Sequence, residues 1–357
     1  MESIAVIGAG SGGQLTAGHL ASKGYRVNLY DINEDIIDGI NKKNCVVTFE
    51  GALTGKGKLA CASNDLQAVM ADSKIVIVVT LTSSHADVAK ALAGYLTKNH
   101  LVVLHPGGTF GALAFMAALK EEGAAELPVI AELQDLVYTC RSIEPGLSRV
   151  MGVKKDIAVG TIPAPEAERV AQRLCTIFPQ LKPVPNTIYT SLGNLAPVTH
   201  PGPIVLNAAK IETQEKPFPY LDTITPSVAL LMEKVDEERR SIAKVLGIDL
   251  ISLKEWLQNS YGIAGDDIFE CYKNADVYSE LTAQSAVKTR YITEDVPCGL
   301  IPMIAIAAIL GVKVPAMEAL VTMCGVITNE QYEQNGRNMD RLGIRNINKE
   351  GLLSLLS

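Results

Sequence analysis

The sequence predicts an N-terminal α/β domain with a mostly parallel sheet, followed by an all-α C-terminal domain. Three observations indicate this fold class. Short β-branched runs alternate with helical stretches in the first half of the chain, a glycine-rich turn follows the first such run, and strand patterns stop after about residue 190. Such alternation is typical of βαβ units, whose strands run parallel. We expect the two domains to comprise residues 1–188 and 189–357.

The length and composition of the chain agree with two globular domains. At 357 residues, the chain is longer than one hydrophobic core usually organises. Hydrophobic residues make up 48% and charged residues 20%, unlike the polar composition of disordered chains. The net charge of -7 and the lack of a Lys/Arg cluster argue against a nucleic-acid partner and favour small-molecule partners.

Strand and helix patterns follow one another from Ser3 onward. Strands are predicted at SIAVI (3–7), RVNLY (26–30), IVIVV (75–79), LVVL (101–104), 129–132, 138–142, 156–161 and 181–184, and helices over 14–23, 33–41 and 165–176. The runs at 75–79 and 101–104 are unbroken apolar, as in strands that are covered on both faces. Residues 46–63 alternate and carry three glycines, which predicts a small hairpin.

After about residue 190 the helical period dominates. In the stretch from Thr225 to Ile248, Thr225 can cap the helix and Pro226 suits its first turn. The most apolar segment, 299–312, has 14 residues, fewer than the roughly 20 needed to span a bilayer. We therefore interpret it as a buried helix and expect no membrane contact.

The cysteines and the start of the chain indicate a cytoplasmic protein. The seven cysteines are spread singly, without the close pairs of a zinc site or a disulfide framework, so reduced thiols and no bound metal are expected. The first strand begins almost at Met1, which leaves no room for an export signal ahead of it. The oligomeric state is left open, with a homodimer as one arrangement.

A glycine fingerprint follows the first strand directly. Gly8, Gly10 and Gly13 form G-x-G-x-x-G between a strand and a helix, the context in which this pattern marks a dinucleotide-binding Rossmann domain. The cofactor would then contact the loop Gly8, Ala9, Gly10, Ser11, Gly12 and Gly13. Asp31 ends the second strand, where a carboxylate accepts hydrogen bonds from ribose hydroxyls and repels a 2'-phosphate. These residues predict NAD, with NADH preferred over NADPH. FAD and a purely structural turn are the alternatives.

One of the five histidines stands out. His19, His85, His100 and His105 lie in or beside predicted helices and strands, where a structural role is expected. His200 lies at the predicted domain junction, just before a helix that can start at Pro203. The positive end of a helix suits an anionic substrate, and an imidazole can transfer protons near neutral pH. A buried histidine with a structural role is the alternative.

At several stretches the sequence resembles the opine dehydrogenases, a family that includes octopine dehydrogenase and bacterial carboxyethyl-norvaline dehydrogenase. The resemblance runs through nearly the whole chain and is most evident in four segments. These are NLAPVTHPGPIVLNAA (194–209), TPSVALLMEKVDEERRSIAKVLGI (225–248), LKEWLQNSYG (253–262) and RYITEDVPCGLIPMIAIAAILGVKVPA (290–316). It implies an NADH-dependent enzyme that reduces the imine formed between a 2-oxo acid, often pyruvate, and the amino group of an amino acid.

The resemblance also implies roles for particular residues. His200 and Asp295 match the family's proton-relay dyad, and Arg290 matches an arginine that holds a substrate carboxylate. The chemistry fits, because a carboxylate orients the imidazole and a guanidinium binds carboxylates bidentately. Thr109, Glu132 and Thr139 lie in loops that follow the family only in outline, and they are further substrate-site candidates together with Trp256, the single tryptophan. Asp295 could instead cap a helix, Arg290 could form a surface ion pair and Trp256 could be core packing.

Two other functions remain open at this point. A ketopantoate reductase or a hydroxy-acid dehydrogenase shares the expected architecture but usually uses a lysine of the interdomain helix, and the stretch 192–209 contains no lysine. A non-catalytic NADH-binding sensor would not need His200, Arg290 and Asp295 together. The sequence therefore favours a histidine-based dehydrogenase.

Overall fold

The computed structural model describes residues 2–279 and 281–356. The chain divides into two compact units, one comprising Met1–Ser191 and Leu355–Ser357 and the other Leu192–Ser354. The expected boundary at residue 188 falls inside a helix, Thr187–Leu192, and the last three residues group with the first unit rather than the second. The two units are described in turn.

An eight-stranded sheet forms the centre of the first unit. The twelve strands of this unit are β1 (Ser3–Ile7), β2 (Arg26–Tyr30), β3 (Val46–Gly51), β4 (Gly55–Lys58), β5 (Cys61–Ser63), β6 (Ser73–Val78), β7 (Leu101–Leu104), β8 (Val129–Leu133), β9 (Tyr138–Glu144), β10 (Leu147–Val153), β11 (Ile157–Ile162) and β12 (Leu181–Pro183). The large sheet has the order β12-β11-β8-β7-β6-β1-β2-β5. Only the β8–β11 pair is antiparallel, so the predicted mostly parallel sheet is confirmed. Strands β1, β6 and β7 are almost wholly buried, as the unbroken apolar runs predict.

Seven helices complete the first unit and cover the sheet. They are α1 (Ser11–Ser22), α2 (Glu34–Lys42), α3 (Leu66–Met70), α4 (His85–Leu92), α5 (Gly111–Glu121), α6 (Ala167–Leu174) and α7 (Thr187–Leu192). Asn33 and Asp65 begin α2 and α3 by accepting a backbone N–H of the first turn, as good N-cap residues do. Helix α7 carries the chain across the division between the units.

A second, four-stranded sheet with the order β4-β3-β10-β9 packs on α1. Strands β3 and β4 pair antiparallel, so the predicted hairpin in 46–63 is confirmed. Strand β10 was not predicted from the sequence, because it is half-exposed and carries Gly152 near its end. It pairs in parallel with β3, which lies about a hundred residues earlier. A glycine at position 18 is required here, because a Cβ would lie 2.7 Å from the Val47 side chain.

The second unit is helical. Its elements are α8 (Ala196–Thr199), α9 (Pro201–Leu206), α10 (Ala208–Glu212), α11 (Pro226–Val245), α12 (Leu253–Tyr261), α13 (Ile268–Lys273), α14 (Arg290–Thr293), a π-helical turn (Val296–Leu300), α15 (Ile301–Leu310), α16 (Pro315–Thr328), α17 (Tyr332–Asn335) and α18 (Lys349–Leu356). Within the described residues its only β-type pairing is a single bridge between Pro219 and Thr282. The Thr225 side chain accepts a hydrogen bond from the Val228 N–H and Pro226 occupies the first turn of α11, which confirms the predicted start of this helix.

A buried ion pair joins α11 to its surroundings. Arg239 and Asp236 are 1% and 3% exposed, and burying two charges is costly unless the remaining hydrogen bonds are made. Here they are made: the Arg239 guanidinium also donates to the carbonyls of Leu192 and Ile251. The Leu253 N–H donates to Asp236. This network fixes the first turn of α12 against the middle of α11.

The helical run Arg290–Leu310 spans 21 residues and is long and apolar enough to cross a membrane by length and composition. It is longer than the 14-residue segment considered in the sequence, because α14 and the π-helical turn extend it at its N-terminal end. About two-thirds of its apolar window is buried inside the protein. That burial is typical of the core helix of a folded domain, in agreement with the buried helix expected over 299–312.

Candidate active site

The glycine fingerprint forms a tight turn between β1 and α1. Gly8 has φ of +103°, which side chains rarely adopt, and a Cβ on Gly13 would lie 1.8 Å from the Gly8 carbonyl oxygen. Gly13 therefore allows the start of α1 to pack against the turn. A Cβ on Gly10 would meet nothing within 4 Å, so the space in front of Gly10 is open to a ligand. This is the arrangement that binds a pyrophosphate at a helix N-terminus.

Asp31 lies at the end of β2, as predicted, and its carboxylate contacts the fingerprint loop. It accepts hydrogen bonds from the backbone N–H groups of Ala9 (2.5 Å) and Asn33 (2.8 Å). The Asn64 side chain donates to the Asp31 carbonyl at 2.7 Å. Asp31 thus holds the turn, and its carboxylate is partly exposed.

The small sheet supports the cofactor loop through two polar side chains. The Ser11 hydroxyl accepts the Ser142 N–H at 2.9 Å. The buried Gln14 amide donates to the Ala9 carbonyl at 2.8 Å and accepts the Gly146 N–H at 2.7 Å. This role of Gln14 was not predicted from the sequence. A glutamine among apolar residues directly after the fingerprint could have indicated it, because a buried amide needs hydrogen-bond partners.

Two exposed apolar side chains flank the same edge of the sheet. Ile32 follows β2 and is 84% exposed, and Leu81 follows β6 and is 53% exposed. Strands β2 and β6 are the two neighbours of β1 in the sheet, so these side chains stand on either side of the loop. Large exposed apolar groups at a cleft are characteristic of surfaces that cover a ligand.

In the second unit, His200 and Asp295 form a hydrogen-bonded pair, although they are 95 residues apart in the chain. The distance from His200 Nδ1 to Asp295 Oδ2 is 2.7 Å, and the side chains are 23% and 13% exposed. Since an ionised carboxylate can only accept, Nδ1 donates. The other ring nitrogen, Nε2, is left with a lone pair that can take up a proton.

The local structure at His200 differs in one detail from the prediction. Helix α9 starts at Pro201 rather than at Pro203, because Pro201 suits a first helical position, and His200 lies at the break between α8 and α9. With six residues, α9 is too short for its N-terminal end to dominate the electrostatics. The neighbours that define the His200 site are side chains, namely Asp295 and Tyr291.

Tyr291 stacks on His200, a contact that the sequence analysis did not anticipate. The two ring centroids are 3.8 Å apart and the planes differ by 4°. Burial raises the pKa of the Tyr291 phenol, with Arg290 opposing that rise and Asp295 adding to it. The sequence contains one indication of a role for Tyr291, because it lies between Arg290 and Asp295, the two residues that match the family's site.

Arg290 lies beside the dyad and is exposed. Its guanidinium carbon is 5.8 Å from the centre of the Tyr291 ring, whose face contacts His200. The side chain is exposed, and within residues 2–279 and 281–356 it forms no ion pair with a carboxylate. The surface ion pair considered as an alternative is therefore not formed there, and the guanidinium can accept an anionic ligand.

Trp256 belongs to an aromatic cluster of the second unit. A capping box between Ser252 and Glu255 begins α12 and sets the position of this half-buried indole. Edge-to-face contacts connect the rings of Trp256 with Tyr261 (5.4 Å) and Tyr261 with Tyr278 (5.8 Å). Tyr278 in turn contacts Tyr220, whose hydroxyl donates to the Thr199 carbonyl at 3.4 Å. The cluster therefore reaches the residue before His200.

The remaining predicted substrate residues belong to the first unit. Glu132 has no exposed surface, and its carboxylate accepts hydrogen bonds from the Ala112 N–H (2.9 Å) and the hydroxyls of Thr190 (2.5 Å) and Ser191 (2.6 Å). Its position does not support the predicted contact with substrate, because the carboxylate is enclosed and saturated with donors. Thr109 is likewise buried, whereas Thr139 is exposed on β9.

The other histidines occupy structural positions, as expected. Burial, with a smaller effect of Lys23, lowers the pKa of His19 to about 4, and its Nδ1 lies 2.7 Å from the Tyr138 hydroxyl. Burial and then Lys154 lower the pKa of His105 to about 3, and its Nε2 accepts the Val137 N–H. Among the residues that the structure describes, no three His, Cys, Asp or Glu side chains come together as metal ligands.

Comparison with known proteins identifies related families for both units. The family model described as "NAD/NADP octopine/nopaline dehydrogenase, alpha-helical domain" matches residues 183–328. The model "NAD-dependent glycerol-3-phosphate dehydrogenase N-terminus" matches residues 3–124. The chain is 32% identical over 353 residues to the opine dehydrogenase of Arthrobacter sp. (strain 1C), which covers 99% of this chain and 98% of that protein.

Solved structures share the fold at lower sequence identity. Octopine dehydrogenase with NADH and L-arginine has a TM-score of 0.80 at 19% identity, over 96% of each chain. Yersinopine dehydrogenase bound to NADP⁺ has a TM-score of 0.73 at 14% identity, over 99% of this chain and 95% of the other. Both support the architecture of an α/β dinucleotide-binding unit followed by a helical unit.

Proposed function

The chain belongs to the opine dehydrogenase family and is an NAD-dependent oxidoreductase acting on CH–NH bonds. On that premise, we propose that it joins a 2-oxo acid, with pyruvate as the first candidate, to the amino group of an amino acid in an NADH-dependent reduction. The product is a secondary amine that carries two carboxylates. The observation that carries the proposal is the His200–Asp295 pair beside Arg290, which forms no ion pair with any carboxylate of residues 2–279 and 281–356.

The proposed reaction balances as follows. The amine nitrogen adds to the oxo carbon and water leaves to give an imine, whose carbon would be reduced by a hydride from NADH held at the fingerprint loop. His200 exchanges protons at Nε2 while Asp295 holds the Nδ1–H and stabilises the imidazolium, as a carboxylate does behind a catalytic histidine. The net change consumes NADH and a proton and releases NAD⁺ and water.

Arg290 is proposed to bind a substrate carboxylate. Its guanidinium is planar and always charged, so it can form two parallel hydrogen bonds to a carboxylate. Of the first-unit candidates, the exposed Thr139 remains a proposed substrate contact. Glu132 is proposed to have a structural role instead, because its carboxylate oxygens accept hydrogen bonds from α5 and α7. It also packs closely on Gly107, where a Cβ would lie 2.2 Å from the Glu132 Cγ. Trp256 is proposed to contribute to the amino-acid site through the aromatic cluster.

NADH is proposed as the preferred cofactor. Support comes from the Asp31 carboxylate beside the loop, which would repel a 2'-phosphate, and from Ile32 and Leu81, whose exposed apolar surfaces suit the two faces of an adenine. The related yersinopine dehydrogenase structure contains NADP⁺, so cofactor choice varies within this architecture and has to be measured. The proposed contacts to the pyrophosphate come from Gly8, Ala9, Gly10, Ser11, Gly12 and Gly13.

A lysine-dependent dehydrogenase is disfavoured by the position of Lys210. This first lysine after the junction is 3.6 Å from the Asp222 carboxylate and lies 4.0 Å above the Phe218 ring. Its ammonium group is therefore already engaged by other side chains. A ketone reduction in which this lysine donates the proton would need both contacts to be broken.

The experiment that tests the proposal is NADH oxidation with pyruvate, with an amino acid, and with both together, followed by mass analysis of the product. We expect turnover only with both substrates, and a product whose mass equals oxo acid plus amino acid less one oxygen. A hydroxy acid formed from pyruvate alone would overturn the assignment in favour of a hydroxy-acid dehydrogenase. Absence of turnover with every substrate pair would favour an NADH sensor.

A further inference from the structure

Tyr291 provides a flat surface against which the catalytic imidazole lies. The two rings are within 4° of parallel at a centroid distance of 3.8 Å. We propose that Tyr291 is a positioning residue that fixes the plane of the His200 ring, so that Nε2 meets the reacting atoms along one direction. The kinetic part of this inference rests on the proposed function, whereas the stacking itself can be tested without turnover.

The imidazole needs a second constraint besides Asp295. One hydrogen bond restrains the position of Nδ1 but still lets the ring tilt by rotation about its Cα–Cβ and Cβ–Cγ bonds, which would change the direction in which Nε2 points. The backbone adds little, because His200 lies at the break between two short helices and its side chain is 23% exposed. A ring stacked on one face removes this rotation.

Tyr291 is itself a partly buried side chain of the second unit, and burial raises the pKa of its phenol. Helix α14, which carries it, packs against α9 and the π-helical turn, and this packing restrains the ring. The electron-rich face of the ring also tolerates the positive charge that the imidazole carries when doubly protonated.

The arrangement gives three side chains of the segment 290–295 different roles. Asp295 orients Nδ1 of His200, and Tyr291 sets the plane of the imidazole ring. Arg290 lies on the same four-residue helix as Tyr291 and binds the substrate carboxylate. Because one face of the imidazole is covered, the substrate must approach through the ring edge or the opposite face. A misplacement of about 1 Å in such a geometry can cost about 100-fold in rate.

Three variants separate positioning from packing. Tyr291→Phe keeps the stacking ring and removes only the hydroxyl, so kcat should stay within about twofold of wild type. Tyr291→Leu removes the aromatic face and should lower kcat about 10- to 100-fold, with the KM for pyruvate changed less than about threefold. Tyr332→Leu is the matched control, since it removes a buried phenol of the same unit that contacts Thr328; its kcat should be unchanged.

The second measurement is the NMR spectrum of the histidine ring protons, in which His200 is assigned by its loss in His200→Asn. Protons above an aromatic face are shielded, so the His200 resonances should be shifted upfield in wild type and Tyr291→Phe. They should return towards ordinary positions in Tyr291→Leu but not in Tyr332→Leu. Retained kcat in Tyr291→Leu, equal losses in Phe and Leu variants, or unshielded His200 protons in wild type would each overturn the inference. If no substrate pair is turned over, the proposed function fails, and the NMR result still decides the stacking.

Discussion

The cofactor loop and the histidine dyad are built in opposite ways. The loop is formed by backbone groups and glycines within one short segment, from Gly8 to Asp31. Its shape depends on positions at which a Cβ would have no room. The dyad uses two side chains that are 95 residues apart and a stacked ring that fixes their geometry. The loop is a property of local sequence, whereas the dyad exists only once the second unit has folded.

Because of this difference, we expect substitutions in the two sites to have different effects. A substitution in the loop alters backbone packing, so it affects cofactor affinity or folding before it affects chemistry. A substitution in the dyad should leave the fold of the first unit intact and remove the proposed proton-transfer step. Kinetic constants and cofactor affinity, measured on the same variants, therefore separate the two regions.

His200→Asn should give the largest effect. Loss of general acid–base help typically costs about 100- to 10,000-fold in rate, and kcat should fall by that order. NADH affinity, followed by fluorescence titration, should change little because the fingerprint loop lies in the other unit. His100→Asn serves as control, since His100 contacts Thr97 beside β7. A His200→Asn enzyme with near wild-type kcat would remove this residue from the mechanism.

Arg290→Lys should have the next largest effect. The change keeps the charge but loses the planar fork, and such charge-assisted hydrogen bonds are worth about 1.5 to 3 kcal/mol, or roughly 10- to 150-fold. The loss should appear as a raised KM for the oxo acid if Arg290 binds substrate and transition state equally, and also in kcat if it orients the imine. Arg345→Lys, at an exposed ion pair with Asp340, should leave both constants unchanged. An unaltered kcat/KM for pyruvate in Arg290→Lys would assign the carboxylate to another group.

The sequence predicted the fold in both units and named most of the residues that the structure brings together at the two candidate sites. Alternation, apolar runs and the fingerprint are local patterns, so the parallel sheet, the hairpin and the start of α11 could be inferred from them. Strand β10 could not, since its partner β3 is distant in the chain and its own pattern is weak. His200 was singled out by its position before a predicted helix, whereas Arg290, Asp295 and the pairing of Asp295 with His200 came from the family resemblance, because no local pattern relates residues so far apart. The stacking of Tyr291 and the enclosure of Glu132 depend on packing that only three-dimensional structure reveals.

Two glycines of the fingerprint should respond differently to the same change. Gly13→Ala places a Cβ 1.8 Å from the Gly8 carbonyl, and overpacking of this kind typically costs about 1 to 3 kcal/mol of stability, so the thermal midpoint should fall. Gly10→Ala meets no atom within 4 Å and should leave the midpoint unchanged. It should weaken NADH binding about tenfold, as expected for the loss of one charge-assisted contact. Equal midpoints for both variants would contradict this assignment of the two glycines.

Asp31→Ser should produce the smallest effect and the one most specific to the first unit. Asp31 accepts hydrogen bonds from the Ala9 and Asn33 N–H groups and, in the proposed binding mode, places a negative charge where a 2'-phosphate would lie. Serine can accept a hydrogen bond but carries no charge, so the ratio of kcat/KM values for NADH and NADPH should narrow by about 3- to 10-fold, the scale of a partly exposed charge interaction of about 1 kcal/mol. Asp35→Ser is the control: it removes an exposed carboxylate from the first turn of α2 with the same change in net charge, and the ratio should not move. A wild-type enzyme that uses NADPH as well as NADH, or an equal response to both substitutions, would show that the Asp31 carboxylate shapes the loop without selecting the cofactor.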